Sequence, residues 1–216
     1  MKRIISLILI LTTLFAVTSC EKKGNRDYDE TEVVAAARNL IYKAEKLNNI
    51  LWGEGFYYIE DSEYAIGSYA PADPYADYTS LEKLISDCSE TFSSDYMRII
   101  QNTIFSSSFG ESGVEAYARY YQENSTDPIM VNKEYKRLLT AKNEFLYSTL
   151  EAVRSEGERV IVKITVKITV EVKDPLGAII DTETKTQQRE REIELIEEAG
   201  KWKIDSPCYS NYNENL

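Results

Sequence analysis

The sequence predicts an α+β fold in which N-terminal helices pack on a C-terminal curved antiparallel β-meander of about four strands. Two patterns predict it. Apolar residues recur at helical spacing through the first third of the chain. From Val160 to Val172 they fall on alternate residues, the signature of a strand with one buried and one wet face.

Taken in order, Asp29 followed by Glu32 is a helix start with a capping arrangement. Val33, Ala36, Ala37, Leu40, Ile41, Ala44, Leu47, Ile50 and Leu51 then form one stripe, ending near Gly53 and Gly55. Residues 56–78 carry Pro71, Pro74 and six tyrosines without sustained periodicity, and read as an ordered loop with a short strand or turn at 56–60. Thr79 with Glu82 is a second capping box, leading through Leu81, Leu84, Ile85 and Cys88. Ser94 or Asp95 restarts the helical spacing through Ile104. Ser112 with Glu115 predicts a short aromatic helix holding Tyr117, Tyr120 and Tyr121.

The sheet follows. Phe145 to Val153 is expected to flank the Val160–Val172 strand on one side. Asp174-Pro175-Leu176-Gly177 is a turn, so residues 178–196 return antiparallel on the other. The polar middle of that return, Asp181 to Glu192, is expected to twist beyond the core or to lie over a solvated face. Glu197 to Gly200 turns the chain into a closing strand at Trp202 and Ile204. Lys163, Lys167 and Lys173 are expected on a solvated face opposite acidic neighbours.

Composition excludes several functions. Among 216 residues there is no histidine, so Ser-His-Asp and Cys-His catalysis, histidine metal sites and a histidine pH switch are all ruled out. The net charge of −11 opposes nucleic-acid binding, which requires a basic surface.

The N-terminus reads as an address. Lys2 and Arg3 precede an apolar run from Ile4 to Val17, too short to span a bilayer comfortably, and Thr18 and Ser19 then lead to Cys20. This segment resembles the bacterial lipoprotein signal, whose terminal cysteine is diacylated and becomes the mature N-terminus. The resemblance implies a signal peptide at 1–19, lipidation at Cys20, a flexible tether over 20–29 and one α+β domain at 30–216. Within that domain helices are expected over about 30–142 and the sheet over about 143–206. Loss of Lys2 and Arg3 with the leader takes the net charge from −11 to −13. The expected location is therefore the cell envelope, membrane-anchored and extracytoplasmic. Oxidising conditions there would permit a disulfide between Cys88 and Cys208, closing a loop of about 120 residues and worth about 4 kcal/mol. Two separate thiols are the alternative.

The helices-then-meander layout and the terminal Gly200-Lys201-Trp202-Lys203-Ile204-Asp205 resemble the cone-shaped, cystatin-like α+β superfamily named for nuclear transport factor 2. Many exported lipoproteins of that superfamily end in a similar strand, and its enzymes often use an Asp-His pair inside the cone. A chain without histidine cannot supply that pair, so the resemblance implies a non-catalytic member. The tyrosine-rich loop and the extended polar third strand depart from the usual pattern.

Nine of the sixteen tyrosines supply the candidate binding surface: Tyr57, Tyr58, Tyr64, Tyr69, Tyr75 and Tyr78 in the loop, and Tyr117, Tyr120 and Tyr121 further on. Tyrosine offers a large contact area with a polar tip, although such rings also seal cores. Glu60, Asp61, Glu63, Asp73 and Asp77 lack the spacing of a calcium loop and read as solvated surface, so no metal or other cofactor is expected. The leading expectation is a non-catalytic binding module for an envelope protein, a cell-wall component or a small ligand in a cone pocket. The alternatives are an acidic inhibitor of basic cell-wall hydrolases and a carboxylate-dependent wall hydrolase, a chemistry that needs no histidine.

Overall fold

The computed structural model describes residues 28–106, 108–109, 115–116, 118–173 and 179–212. Cys20 with its leader, Tyr117, and the turn expected at 174–177 lie outside the described residues.

Helix α1 spans Glu30–Trp52. The Asp29 side chain caps it by accepting from the Thr31 and Glu32 amides at 2.8 and 3.2 Å, and Glu30 and Glu32 face the positive end of the helix dipole. Of the stripe read from the sequence, all but Ala36 is buried, and Asn48 and Trp52 join it. The Gly53 amide ends the helix by donating to the carbonyls of Asn48 and Asn49. Helix α2, Leu81–Thr91, starts one residue later than its expected capping box. Ser80 is the cap, accepting from the Lys83 amide at 3.3 Å, because Gln122 holds the Leu81 amide and the Thr79 carbonyl. Helix α3, Ser94–Ile100, is capped by Ser93 and continues as a π-helical turn over Gln101–Phe105.

Among the described residues of the expected aromatic helix, Glu115, Ala116, Tyr120 and Tyr121 are in strands. Strand β2 (Ser108–Phe109) pairs with β3 (Glu115–Ala116). Strand β4 (Tyr120–Tyr121) pairs with β5 (Met130–Asn132), which also pairs with β1 (Tyr69–Pro71) in a small antiparallel sheet. Long-range pairing overrides the local helical spacing here, because extended backbone places the Tyr120 ring in the core.

The main sheet is the antiparallel meander β6 (Lys142–Glu156), β7 (Arg159–Lys173), β8 (Ile179–Glu198) and β9 (Lys201–Ile204). On β7, Val160, Val162, Ile164, Val166 and Ile168 are buried as alternation requires, and Ile161 is buried as well. Ala199 and Gly200, both at positive φ, make the tight turn into β9. On the other face Lys163 pairs with Glu151 and Glu190, and Lys167 with Glu144. Helix α1 lies on the sheet. Its Leu40, Ile41 and Leu47 share one core with Phe145, Val162, Ile193 and Ile204.

The polar middle of β8 stays in register with β7, where Arg191 is opposite Ile164 and Arg189 opposite Val166. Both arginines therefore stand on the core-facing side of the sheet. Over that side runs the C-terminal segment. Arg191 Nη2 donates to the Pro207 carbonyl at 2.7 Å, Ser210 exchanges two hydrogen bonds with the Asn143 side chain, and the Asn211 side chain ties to Leu138 and Thr140. Among the described residues no helix is long and apolar enough to cross a membrane.

Candidate binding surface

The structure divides the tyrosines into two sets. Tyr120 is fully buried. Its hydroxyl donates to the Ile50 carbonyl at 2.7 Å and its ring packs on Phe56 at 5.0 Å. Tyr78 is also buried, donating to Asp87 at 2.8 Å. Burial and the neighbouring Asp87 carboxylate push the Tyr78 hydroxyl well above its ordinary value. Tyr69 donates to the Ala118 carbonyl at 2.6 Å and meets the half-buried Tyr121 edge to face. These four rings hold the loop and the small sheet on the body, so they belong to packing and not to a contact surface. Tyr57, Tyr58, Tyr64 and Tyr75 are exposed, with Tyr57 at 83% and Tyr75 at 94%. Tyr117 lies outside the described residues.

Each exposed ring stands where the backbone is fixed beneath it. The Tyr57 carbonyl accepts from the Asp73 amide at 2.8 Å, and the Asp73 carboxylate accepts from the Tyr75 amide at 2.8 Å. The two rings thus flank one stem, and they line a cleft of about 330 Å³ that also reaches Lys46, Phe56 and Asp77. A second hollow of about 470 Å³ opens on the other side of Lys46, between α1 and α2, lined by Tyr42, Leu47, Tyr78 and Glu90. Lys46 separates the two, paired with Asp77 at 3.2 Å and set over the Tyr78 ring at 5.7 Å.

Tyr42, 72% exposed, was not among the sequence candidates. Its signal is a large aromatic on the polar side of an amphipathic helix, where packing does not require one. Asp87 joins Lys83 to Tyr78 below this hollow. Burial opposes its ionisation, but the hydrogen bonds from Lys83 and Tyr78 prevail and hold its carboxyl below the usual range. The acidic residues of the loop do not gather into a metal site, since no group of three ligand-type side chains occurs among the described residues.

Cys88 and Cys208 are both buried free thiols, so the disulfide that export would permit is not formed. Cys88 faces the core from α2. Cys208 lies in the C-terminal segment and accepts from the Asn48 amide at 3.1 Å. Burial raises the two thiols to about 12 and about 11 respectively, which keeps them protonated and weakly nucleophilic at neutral pH.

A third cleft, of about 520 Å³, lies between α1, the start of β6 and the C-terminal segment. Asn48 lines it and is only 2% exposed. Its Oδ1 has no partner among the described residues, and neither has the nearby buried Trp52 Nε1. Glu45, one helical turn before Asn48, lines the same cleft, and burial raises its carboxyl above the ordinary value. Compared with known proteins, the chain matches no family model and no curated sequence.

Proposed function

We propose that the chain is a lipid-anchored, extracytoplasmic bacterial lipoprotein that binds a partner protein of the cell envelope and catalyses nothing. Cys20, after Val17-Thr18-Ser19, would carry the anchor, and the surface around Lys46 would meet the partner. One observation carries the binding reading. Tyr42, Tyr57 and Tyr75, each more than two-thirds exposed, border two clefts that share Lys46. Rings of this kind add contact area at small entropic cost, and unburied aromatics concentrated in one region are what interfaces use. The non-catalytic reading is supported by the missing histidine and by two thiols held protonated.

The test is crosslinking and capture from envelope extracts with the wild-type chain and with a Tyr57→Ser/Tyr75→Ser variant. One partner enriched by the wild type and lost from the variant supports the reading. Identical catches overturn it. The net charge of −11 favours a second reading, in which the partner is a basic wall hydrolase that the protein inhibits. Capture and inhibition would then weaken steeply with added salt. Metabolic labelling with a fatty acid, lost in Cys20→Ala, tests the anchor independently.

A further inference from the structure

We propose that the cleft between α1, β6 and the C-terminal segment is a second binding site, for a small ligand that presents an ammonium group to Glu45 and to the side-chain carbonyl of Asn48. This site is separate from the tyrosine surface and would stand if the partner-protein reading failed.

The argument starts from an acceptor without a donor. Asn48 Nδ2 is committed to Cys208, to its carbonyl at 3.4 Å and its sulfur at 3.1 Å, which fixes the amide and leaves Oδ1 unpaired while 98% of the residue is covered. Buried polar atoms are nearly always satisfied, so an orphan beside a cleft marks where a donor belongs. A single water could serve Asn48, but the space of about 520 Å³ is of the size that takes small organic ligands.

The second acceptor selects the kind of donor. Glu45, three residues earlier, is on the same helix face as Asn48. Its partial burial raises its carboxyl, the Tyr147 hydroxyl lowers it, and Glu144 and Lys142 act in opposite directions, Glu144 raising it and Lys142 lowering it. A hydroxyl would satisfy Asn48 but bring no charge to Glu45, which feels Lys142 on the same cleft yet forms no ion pair among the described residues. An ammonium has three donors and the opposite charge, so it answers both groups at once. Phe145 and Tyr209 supply apolar and aromatic wall for the ligand's carbon skeleton. Arg137 at the rim is already engaged with Glu54, leaving the inner acceptors for the ligand.

The test is calorimetric titration of the full-length chain with n-butylamine, 1,4-diaminobutane and glucosamine, each against its N-acetylated form. At least one free amine should bind saturably, and acetylation should weaken it tenfold or more. Glu45→Gln, which preserves shape, should cost tenfold or more, and Asn48→Leu a further measurable loss. Tyr57→Ser/Tyr75→Ser should leave amine binding unchanged. Absence of saturable binding by every free amine, equal binding of the acetylated forms, or full affinity in a folded Glu45→Gln chain would overturn the proposal. None of these results bears on capture through the tyrosine surface.

Discussion

The Arg119 guanidinium closes the C-terminus of α1 on Gly53: Nη2 donates to the Gly53 carbonyl at 2.7 Å, while Nη1 donates to the Leu51 carbonyl at 2.8 Å. The cation is buried at the negative end of a 23-residue helix and is enclosed by the rings of Tyr120 and Tyr135. Burial lowers its proton affinity, yet a guanidinium remains charged. The arrangement ties α1 to the small sheet, because the Arg119 amide and carbonyl also bond Ile104 and Asn132.

Gly55 makes that closure possible. It sits at φ +79°, and a Cβ there would lie within contact distance of the Arg119 guanidinium and 2.6 Å from the Tyr120 hydroxyl. Gly55→Ala should therefore cost about 2–4 kcal/mol, adding left-handed strain to overpacking. Arg119→Met, which leaves two carbonyls without their donor, should cost about 2–4 kcal/mol. Denaturant unfolding with an unchanged slope measures both. A loss below about 0.5 kcal/mol in either would refute the closure.

Replacement of exposed and buried tyrosines should separate binding from stability. Tyr57→Ser and Tyr75→Ser should stay within about 0.5 kcal/mol of wild type, since neither ring is covered. Tyr120→Phe, which deletes only the hydroxyl that donates to Ile50, should cost about 1 kcal/mol. Thermal melts of the three variants suffice. Equal destabilisation by Tyr75→Ser and Tyr120→Phe would mean that Tyr75 packs in solution.

The legible parts of the fold were those whose periodicity is local. The stripe of α1 and the alternation of β7 each repeat over many residues, and both elements form within a residue or two of their expected bounds. The stretch before β5 departs from the expected helix, although a capping box and tyrosines at 117, 120 and 121 imitate one. The register Tyr120↔Val131, invisible locally, decides otherwise. The sorting of the tyrosines was hidden for the same reason. Whether a ring turns inward depends on acceptors at Asp87, Ile50 and Ala118, contributed by other elements. The cleft beside Asn48 had no sequence signal, since it needs a C-terminal segment with no periodic pattern to lie against Asn48 and Asn143.

Glu45 should make stability depend on pH in an uncommon direction. Its carboxyl is raised in the folded state, above the ordinary 4.5, chiefly by burial. A raised group contributes fully below its unfolded value and loses that contribution as pH rises through the folded one. Glu45→Gln, which cannot ionise, should therefore gain on wild type between pH 4 and 7, with no gain at about pH 3. Melting temperatures of both chains across that range provide the check. A constant difference, or one that shrinks toward neutrality, would show that Glu45 is not strained by its surroundings. A bound amine should abolish the gain.

The two thiols give a prediction about covalent chemistry. Both are fully covered, and their raised values of about 12 and about 11 leave little thiolate at pH 8. Alkylation by iodoacetamide should be slow in the native protein and rapid for both Cys88 and Cys208 in denaturant. Intact mass should gain no pair of hydrogens on reduction, since Cys88 and Cys208 are not bridged. Protection should fall first at Cys208, because it is held by a C-terminal segment whose tethers to Asn48, Asn143 and Arg191 are side-chain hydrogen bonds, whereas Cys88 sits within a helix. Time-resolved peptide mapping at low denaturant distinguishes the order. Simultaneous modification would show that the segment opens only with the whole fold, and earlier labelling of Cys88 would show that α2 is the weaker attachment.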